Sequence, residues 1–374
     1  MGEMKEIIRE SKAALCLACG RCTTACPLST PSASLRGGND GHSPRVFVER
    51  LLTYNEIDRV NLWECLTCER CTVFCPSSVK FSEFIRSLRS NFQTEAFEKC
   101  AHAGILHSLM RLMAYNDLDQ NRLDWITSDF EVSKEVDTLL FVGCAPYYDI
   151  YFDRWSPLET TKRAVKLLNL IGIKPVLLND EVCCGHDLLW TGDQDAFNEL
   201  ERKNNERILK SNPKRIVFTC PECYSTFKND YKLGKWIQLL HLTELLIENL
   251  DKLNFKETRK KVSYHDSCRM GRFQGLYDAP RKLLEAIPGI ELREFAETRE
   301  RALCCGTSCW MSCNSRAKRA QLQRLNEAKE ISETLVTPCP KCLIHYSCTM
   351  DEKEKNPIVE VEDIIVTVAN SLEI

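Results

Sequence analysis

Apolar residues along the chain recur with two periods, and the change between them divides the sequence. Short apolar runs at 138–142 (TLLFV), 215–219 (RIVFT), 261–264 and 334–338 read as strands, being brief and rich in β-branched and aromatic side chains. Between them, 161–170, 193–209, 279–287 and 316–331 carry apolar positions every three or four residues, the helical period. Strand, helix, strand alternation predicts a parallel α/β layer, in which ligand sites collect beyond the carboxyl ends of the strands. Upstream the helical period dominates. Ser43 and Pro44 precede the apolar-periodic stretch 45–52 as an N-cap and first helical position. Two more helices are expected at 81–92 and at 102–116, the latter through Ile105, Leu106, Leu109, Leu112 and Met113. The expected fold class is α/β with an α-helical front. It divides into a helical domain at 1–100, a helical connector at 101–135, and α/β units at 136–255 and 256–374.

The two α/β units read as copies. The first carries Cys144, Cys183-Cys184-Gly185 and Cys220-Pro221-Glu222-Cys223; the second carries Cys268, Cys304-Cys305-Gly306 and Cys339-Pro340-Lys341-Cys342. Offsets are 268 − 144 = 124, 304 − 183 = 121 and 339 − 220 = 119, and each unit closes with a similar element, at 236–245 and 357–364. Two pseudo-symmetric parallel α/β subdomains are expected, their cysteine pockets facing a common cleft. Five thiols recurring at near-equal spacing serve no hydrophobic core and read as a metal pocket. Five exceeds the four that a cubane or a tetrahedral zinc takes. Adjacent cysteines do not easily reach separate corners of one cubane. The spacing therefore favours iron over zinc, and a centre other than a ferredoxin cubane.

Composition narrows the setting. Among 374 residues, 50 Lys and Arg against 53 Asp and Glu give a formal charge of −3, with no basic run, which argues against a nucleic-acid partner. The amino terminus is charged and amphipathic rather than a signal peptide, and no stretch of about 18 apolar residues offers a transmembrane segment. The 22 cysteines then belong in a reducing compartment, where metal ligation outranks a disulfide framework. A cytoplasmic location follows, either free or peripheral on the cytoplasmic membrane face.

The helical front carries its own duplicated motif. Cys16, Cys19, Cys22 and Cys26-Pro27 form C-x2-C-x2-C-x3-C-P, and Cys65, Cys68, Cys71 and Cys75-Pro76 repeat it. In this two-cluster ferredoxin signature the fourth cysteine ligates the other cluster. Cys16, Cys19, Cys22 and Cys75 are thus expected to hold one [4Fe–4S] cubane, and Cys65, Cys68, Cys71 and Cys26 the other. Eight cysteines in duplicate at this spacing fit neither a zinc site nor a disulfide set as well. The helix expected between the runs suits a helical ferredoxin of multi-subunit reductases better than a small β-rich one.

Together these motifs resemble the CCG domains of heterodisulfide reductase catalytic subunits, fused to the helical ferredoxin of the small electron-transfer subunit. The resemblance spans roughly residues 10 to 370. It implies a noncubane [4Fe–4S] cluster on Cys144, Cys183, Cys184, Cys220 and Cys223, and another on Cys268, Cys304, Cys305, Cys339 and Cys342, with a disulfide substrate between them. The superfamily also holds iron–sulfur subunits of glycolate and lactate oxidases and of sulfite-reduction membrane complexes. After the second pair the chain runs Gly306-Thr307-Ser308-Cys309-Trp310-Met311-Ser312-Cys313, where many relatives carry glycines.

Thiolate products need protons, so His186 and His265, each followed by an Asp, are the candidate catalytic acids. The alternative is that they hydrogen-bond cluster sulfurs or backbone and tune the potential. Lys341, between two ligands, is expected to offset cluster charge. Arg269, Arg272 and Lys228 are either anion-attracting groups or scattered surface cations. Cys309 and Cys313, four apart, are expected to share a helix face; with Cys348 they are extra ligands or packing residues. Cys100 is expected as a buried small hydrophobe.

The resulting expectation is a redox enzyme that reduces a disulfide, or runs the reverse, with electrons entering through the ferredoxin cubanes. The sequence holds no G-x-G-x-x-G, so a separate flavoprotein, hydrogenase or membrane cytochrome subunit must supply them. The contrasting expectation is a non-catalytic conduit between a flavin dehydrogenase and a quinone-reactive membrane partner. A conduit tolerates loss of ligands from one set, whereas both five-cysteine sets are whole here.

Overall fold

The computed structural model describes residues 2–29, 42–135, 137–306, 308–353 and 358–372; Thr307 and residue 357, which belong to stretches named above, lie outside them. Two fully parallel sheets stand in sequence. The first has the order β1 (Thr138–Phe141), β2 (Arg215–Phe218), β3 (Gln238–His241), with Leu139 opposite Ile216 and Ile216 opposite Leu239. The second contains β4 (Lys260–Tyr264), β5 (Ile290–Arg293), β6 (Thr334–Thr337) and β7 (Glu360–Asp363), in the order β5-β4-β6-β7. β1 and β6 are buried along their whole length, as parallel strands covered on both faces must be. β1, β2 and β3 thus correspond to β4, β6 and β7. The counterpart of β5 shrinks to a single parallel bridge, Leu139 to Val176. Pro175, just before it, has no N–H to give the ladder.

Helices cover both sheets in an exchanged pattern. Pro157–Leu170 packs on Ile364–Asn370, and Leu242–Glu248 packs on Asp278–Glu285, so a crossover helix of each unit meets the closing helix of the other. That exchange is what a pseudo-twofold requires. It merges Leu140, Val165 and Leu245 of one unit with Val262, Leu284, Ile365 and Val368 of the other into one core. Full burial of such side chains stabilises by roughly 1.5–3 kcal/mol each. The closing elements pass from strand to helix without a loop. His241 Nδ1 accepts the Thr243 N–H at 3.4 Å, and Asp363 Oδ1 accepts the Ile365 N–H at 2.8 Å.

The front is helical. In Pro44–Tyr54, Ser43 Oγ accepts the Val46 N–H at 3.2 Å, a cap worth about 1 kcal/mol. Phe47 meets Phe81 and Phe84 edge to face, with centroids 5.9 and 6.0 Å apart, fixing that helix on Phe81–Ser90. The expected 102–116 helix is a 3-10 turn, His102–Gly104, followed by Ile105–Tyr115.

Two expectations about the cysteines outside the motifs fail. Cys309 and Cys313 share no helix face: Cys309, Trp310 and Ser312 have φ of 42°, 52° and 48°, and such left-handed residues cannot continue an α-helix. Instead the segment pairs with 99–101, the Ala101 N–H donating to Trp310 O at 2.7 Å and the Ser312 N–H to Lys99 O at 3.0 Å. Cys309 is buried and Cys313 exposed. Cys100 is half-buried rather than buried, its Sγ donating to Ala96 O at 3.1 Å.

Candidate functional site

The two ferredoxin loops are conformational copies. Ala18 and Thr67, third in each Cys-x-x-Cys, have φ of 52° and 46°, and Gly20 and Glu69, just after each second cysteine, have φ of 78° and 63°. This left-handed pattern curls the loop so that successive thiols turn inward. One cavity is lined by Cys26, Cys65, Cys68 and Cys71 together, with Pro27, His42 and Thr67. His42 Nδ1 lies 3.3 Å from Cys26 Sγ. Cys22 has Cys16 and Cys75 as electrostatic neighbours, while Cys19 is exposed. Burial, then the Cys68 neighbour, pushes the Cys26 thiol far up. Burial raises Cys65 to about 11.

Beyond the strand ends lie the two five-thiol pockets. Cys144 Sγ and Cys183 Sγ are 3.2 Å apart. Cys184 meets Cys183 and Cys223, and Cys223 meets Cys220, so all five line one cavity with Tyr148 and His186. In the second unit Cys304 meets Cys268 and Cys305, while Cys342 meets Cys305 and Cys339. The glycine after each pair is structural. Gly185 and Gly306 have φ of 79° and 86°, and a Cβ there would meet Phe197 and the Ala317 carbonyl at 2.7 Å each.

The donor chemistry fits a bound iron–sulfur centre. Contact with a neighbouring thiol, then burial, pushes Cys144, Cys184, Cys223, Cys304 and Cys342 well above the ordinary thiol range. Five thiolates in one buried pocket need compensating positive charge, which ligated metal supplies. Cys68 of the ferredoxin loop touches Cys304, and that contact with Arg272 and Arg70 holds Cys68 low, at about 5 despite burial. The second pocket therefore abuts the inner ferredoxin cavity.

Between the pockets runs a buried polar chain. Lys341 Nζ bonds Asp187 and lies 2.5 Å from Glu222, so the middle residues of the two Cys-Pro-x-Cys motifs meet across the pseudo-twofold. Lys341 therefore answers two carboxylates rather than cluster charge alone. His186 Nδ1 faces Asp187 at 2.9 Å, and its Nε2 accepts the Arg269 Nε–H at 2.8 Å. Burial lowers His186 below the ordinary imidazole range. Burial lifts Asp187, but Lys341 and His186 outweigh it and hold the carboxyl well below the usual range. His186, Asp187 and Glu222 cluster like metal ligands, but Lys341 already supplies the cation.

His265 sits in the second pocket. One of its ring nitrogens lies with the Cys305 and Cys342 sulfurs within 4.8 Å, and Nδ1 is 3.2 Å from Tyr346 OH. Asp266 turns away to Arg281, at 2.7 Å. Arg269 and Arg272 are not surface cations: Arg269 is buried between Trp190 and Phe273, 4.0 and 4.3 Å from their ring centres, and Arg272 donates to Cys68 O at 2.5 Å. Lys228 donates to Tyr224 OH at 2.6 Å, and Lys318 Nζ lies 3.6 Å from Cys348 Sγ. Sequence reasoning missed Glu222, Arg89 and His345. Arg89 bonds five groups around Cys65, and His345 Nδ1 lies 3.8 Å from Cys305 Sγ. The one available signal was Glu222 standing opposite Lys341 in the repeated motif.

Known families match both modules. A cysteine-rich domain, CCG, covers residues 138–228 and 262–347, and a 4Fe-4S dicluster domain covers 8–76. The chain is 29% identical to a Dihydromethanophenazine:CoB--CoM heterodisulfide reductase subunit from Methanosarcina acetivorans, over 96% of this chain and 93% of that one. Against the protein of the same name from Methanosarcina barkeri it is 31% identical over 68% of its own length, spanning 63% of that relative. It is 30% identical to EtfAB:quinone oxidoreductase of Syntrophomonas wolfei over 65% of this chain and 35% of that protein. Among solved structures, a hypothetical protein from Helicobacter pylori shares the fold, with a TM-score of 0.52 and 10% identity over 88% of this chain and 67% of that one.

Proposed function

The chain belongs to the iron–sulfur oxidoreductase family that joins a 4Fe-4S dicluster domain to two cysteine-rich CCG domains, and from that premise we propose that it reduces a disulfide to two thiols, or runs the reverse. The observation that carries this reading is the completeness of both five-cysteine sets, each gathered into one pocket. Cys144, Cys183, Cys184, Cys220 and Cys223 would hold one noncubane [4Fe–4S] centre; Cys268, Cys304, Cys305, Cys339 and Cys342 would hold the other. Cys16, Cys19, Cys22 and Cys75, and Cys26, Cys65, Cys68 and Cys71, would hold two cubanes. Clusters there supply one-electron chemistry at sulfur. The balance is one disulfide, two electrons and two protons giving two thiols.

The chain's own groups do the remaining work. The Cys68–Cys304 contact gives electrons a short path from the ferredoxin to the second pocket. We assign proton delivery to His265, because its imidazole lies beside ligand sulfurs and its Nδ1 meets a tyrosine hydroxyl. His186 is a positioning residue, since Arg269 and Asp187 occupy both of its nitrogens. Electrons come from a flavoprotein, hydrogenase or membrane cytochrome subunit, on the cytoplasmic side. Among the described residues no helix is long and apolar enough to cross a membrane.

A second reading has its own support. The buried Lys341 bridge fills the space between the pockets, which favours an electron relay over a disulfide cleft. Cys184→Ser and Cys305→Ser separate the two. Disulfide splitting across both centres predicts that each change abolishes turnover and that the double variant is no worse than either, because groups acting as a unit are non-additive. Near-normal disulfide reduction by either single variant would overturn it.

A further inference from the structure

Three arginines from distant parts of the chain converge on the Cys65–Cys68 loop. Arg89 donates to the carbonyls of Leu62 at 2.9 Å, Trp63 at 3.2 Å and Cys65 at 2.8 Å. Arg269 donates to Thr67 O at 3.0 Å and Thr67 Oγ1 at 2.9 Å, and Arg272 donates to Cys68 O at 2.5 Å. Arg89 and Arg269 are buried, at 0% and 2% exposure. A guanidinium keeps its charge even there. Yet among the described residues none of the three bonds a carboxylate. Their other partners are the Trp190 carbonyl and Cys309 Sγ for Arg89, His186 for Arg269, and the Glu300 and Ala302 carbonyls for Arg272. Of the nearby acids, Glu297 pairs with Arg70; Glu69 accepts from Ser82 Oγ at 3.0 Å and lies within the field of Arg269 and Arg272, while burial raises its carboxyl above the usual range.

The outer loop is built differently. Among the described residues no arginine bonds a carbonyl between Cys16 and Cys19, and Cys19 itself is exposed. Charges near that loop are screened by water, whereas the inner three act through a low-dielectric interior where each counts for far more.

We propose that Arg89, Arg269 and Arg272 set the potential of the inner cubane, making it the more readily reduced of the two ferredoxin centres. This rests on the reading that Cys26, Cys65, Cys68 and Cys71 hold a cubane. Adding an electron adds one negative charge to the cluster, and three nearby positive charges that no carboxylate bonds among the described residues stabilise that state. Net charge and hydrogen bonding around a cluster are established levers on its potential. One electron leaving the outer cubane, which is oxidised, then reduces the inner one, beside Cys304. The arrangement drives electrons inward, and the same two arginines of the 268–272 segment fix the ferredoxin loop against the second pocket.

The test uses the full chain, purified anaerobically and assayed first for iron and sulfide. Mediated titration with dithionite, followed by EPR, gives the midpoint of each cubane; Cys19→Ser identifies the outer signal. Arg269→Gln with Arg272→Gln should lower the inner midpoint so that its reduced-to-oxidised ratio falls at least tenfold at the wild-type midpoint, equivalent to about 59 mV for a one-electron couple. The outer midpoint should not move. Arg269→Lys with Arg272→Lys keeps the charge and should keep the inner midpoint near wild type. If the double glutamine form loses iron, Arg272→Gln alone carries the test, its inner midpoint falling below that of Arg272→Lys. An unmoved inner midpoint in the glutamine variant, or a lysine variant shifted as far as glutamine, would overturn the proposal. An unsubstituted chain with no iron at the inner site would instead end the cubane reading, and this proposal with it.

Discussion

Lys341→Met tests whether the charge bridge between the two cysteine pockets is as dry as it looks. Lys341 Nζ answers Asp187 and Glu222, and no side chain of the three is more than 11% exposed. Methionine replaces most of the lysine stem, so the packing loss is small, under about 1.5 kcal/mol. The charge loss is not small. Asp187 keeps the His186 Nδ1 contact at 2.9 Å, but Glu222 is left with only that imidazole, 3.5 Å away. Breaking a buried ion pair from one side costs about 3–5 kcal/mol, because the surviving charge is buried without compensation. At about 2.1 cal/mol/K of unfolding entropy per residue, each kcal/mol moves a chain of this length by roughly 1.3 °C, so the unfolding midpoint should fall by about 4–6 °C. The assay is anaerobic thermal unfolding of the metal-replete protein, followed by circular dichroism. Lys341→Met should be the least stable form, adding Glu222→Gln should recover part of the loss, and adding Asp187→Asn should recover more. Neutral replacement of a whole buried ion set is often harmless. If Lys341→Met unfolds within a degree of wild type, or if each neutralisation makes matters worse, the bridge is hydrated and the argument fails.

Two further outcomes are expected. Four centres of four irons predict about 16 Fe per chain with matching sulfide; near 8 Fe with only cubane signals would remove the noncubane centres, and zinc in their place would sink the reading. Asp363 is buried, its Oδ2 bonds nothing among the described residues, and burial pushes its carboxyl to about 7. The folded state therefore binds the proton more tightly than the unfolded one, and stability falls as pH rises from about 4 to about 7. Asp363→Asn keeps the cap acceptor and removes that loss, so denaturant unfolding should show a gain of roughly 1.5 kcal/mol at pH 5, growing to roughly 4 kcal/mol at pH 8. A gain that does not grow with pH would refute the assignment. The matching cap in the first unit, His241, is itself held neutral, its pKa lowered by burial to about 4.

Much of the fold was legible because parallel strands buried on both faces leave short apolar runs, as β1, β2 and β6 did, while β4 showed one only around Val262 and Tyr264. β5 was not legible. Its Ile-Glu-Leu-Arg alternates half-buried and exposed positions at a sheet edge, which resembles any surface stretch. The cysteine spacing marked the pockets, since ligation fixes spacing as strictly as a turn does. Spacing misled at Cys309 and Cys313, where a separation of four residues suggested a helix that left-handed backbone forbids. The arginines around the ferredoxin loop left no local trace. Arg269 meets Thr67 across 202 residues and Arg89 meets Cys309 across 220, and such contacts follow only from the docking of one module on the other.

Duplication makes the two pockets chemically alike, but their surroundings make them unequal. The second lies against the ferredoxin: Cys304 touches Cys68, and Ser308 Oγ is 3.0 Å from Thr67 Oγ1. The first is bounded instead by Tyr148, Pro157, Thr160 and Thr161, with Pro340 reaching in from the other unit. On the proposed function, electrons entering at the exposed Cys19 side would meet the inner ferredoxin site, then the second pocket, and the first pocket last. In the proposed path the first pocket is the last site reached, lined by its five thiols, by Tyr148, Thr160 and Thr161, and by the Asp187 and Glu222 carboxylates. In that path His265 stands at the second pocket, one of its ring nitrogens beside the Cys305 and Cys342 sulfurs. In this order the repeated motif provides a relay and an endpoint from one pattern of residues. The Lys341–Glu222 bridge joins them, closed to water and carrying both signs of charge.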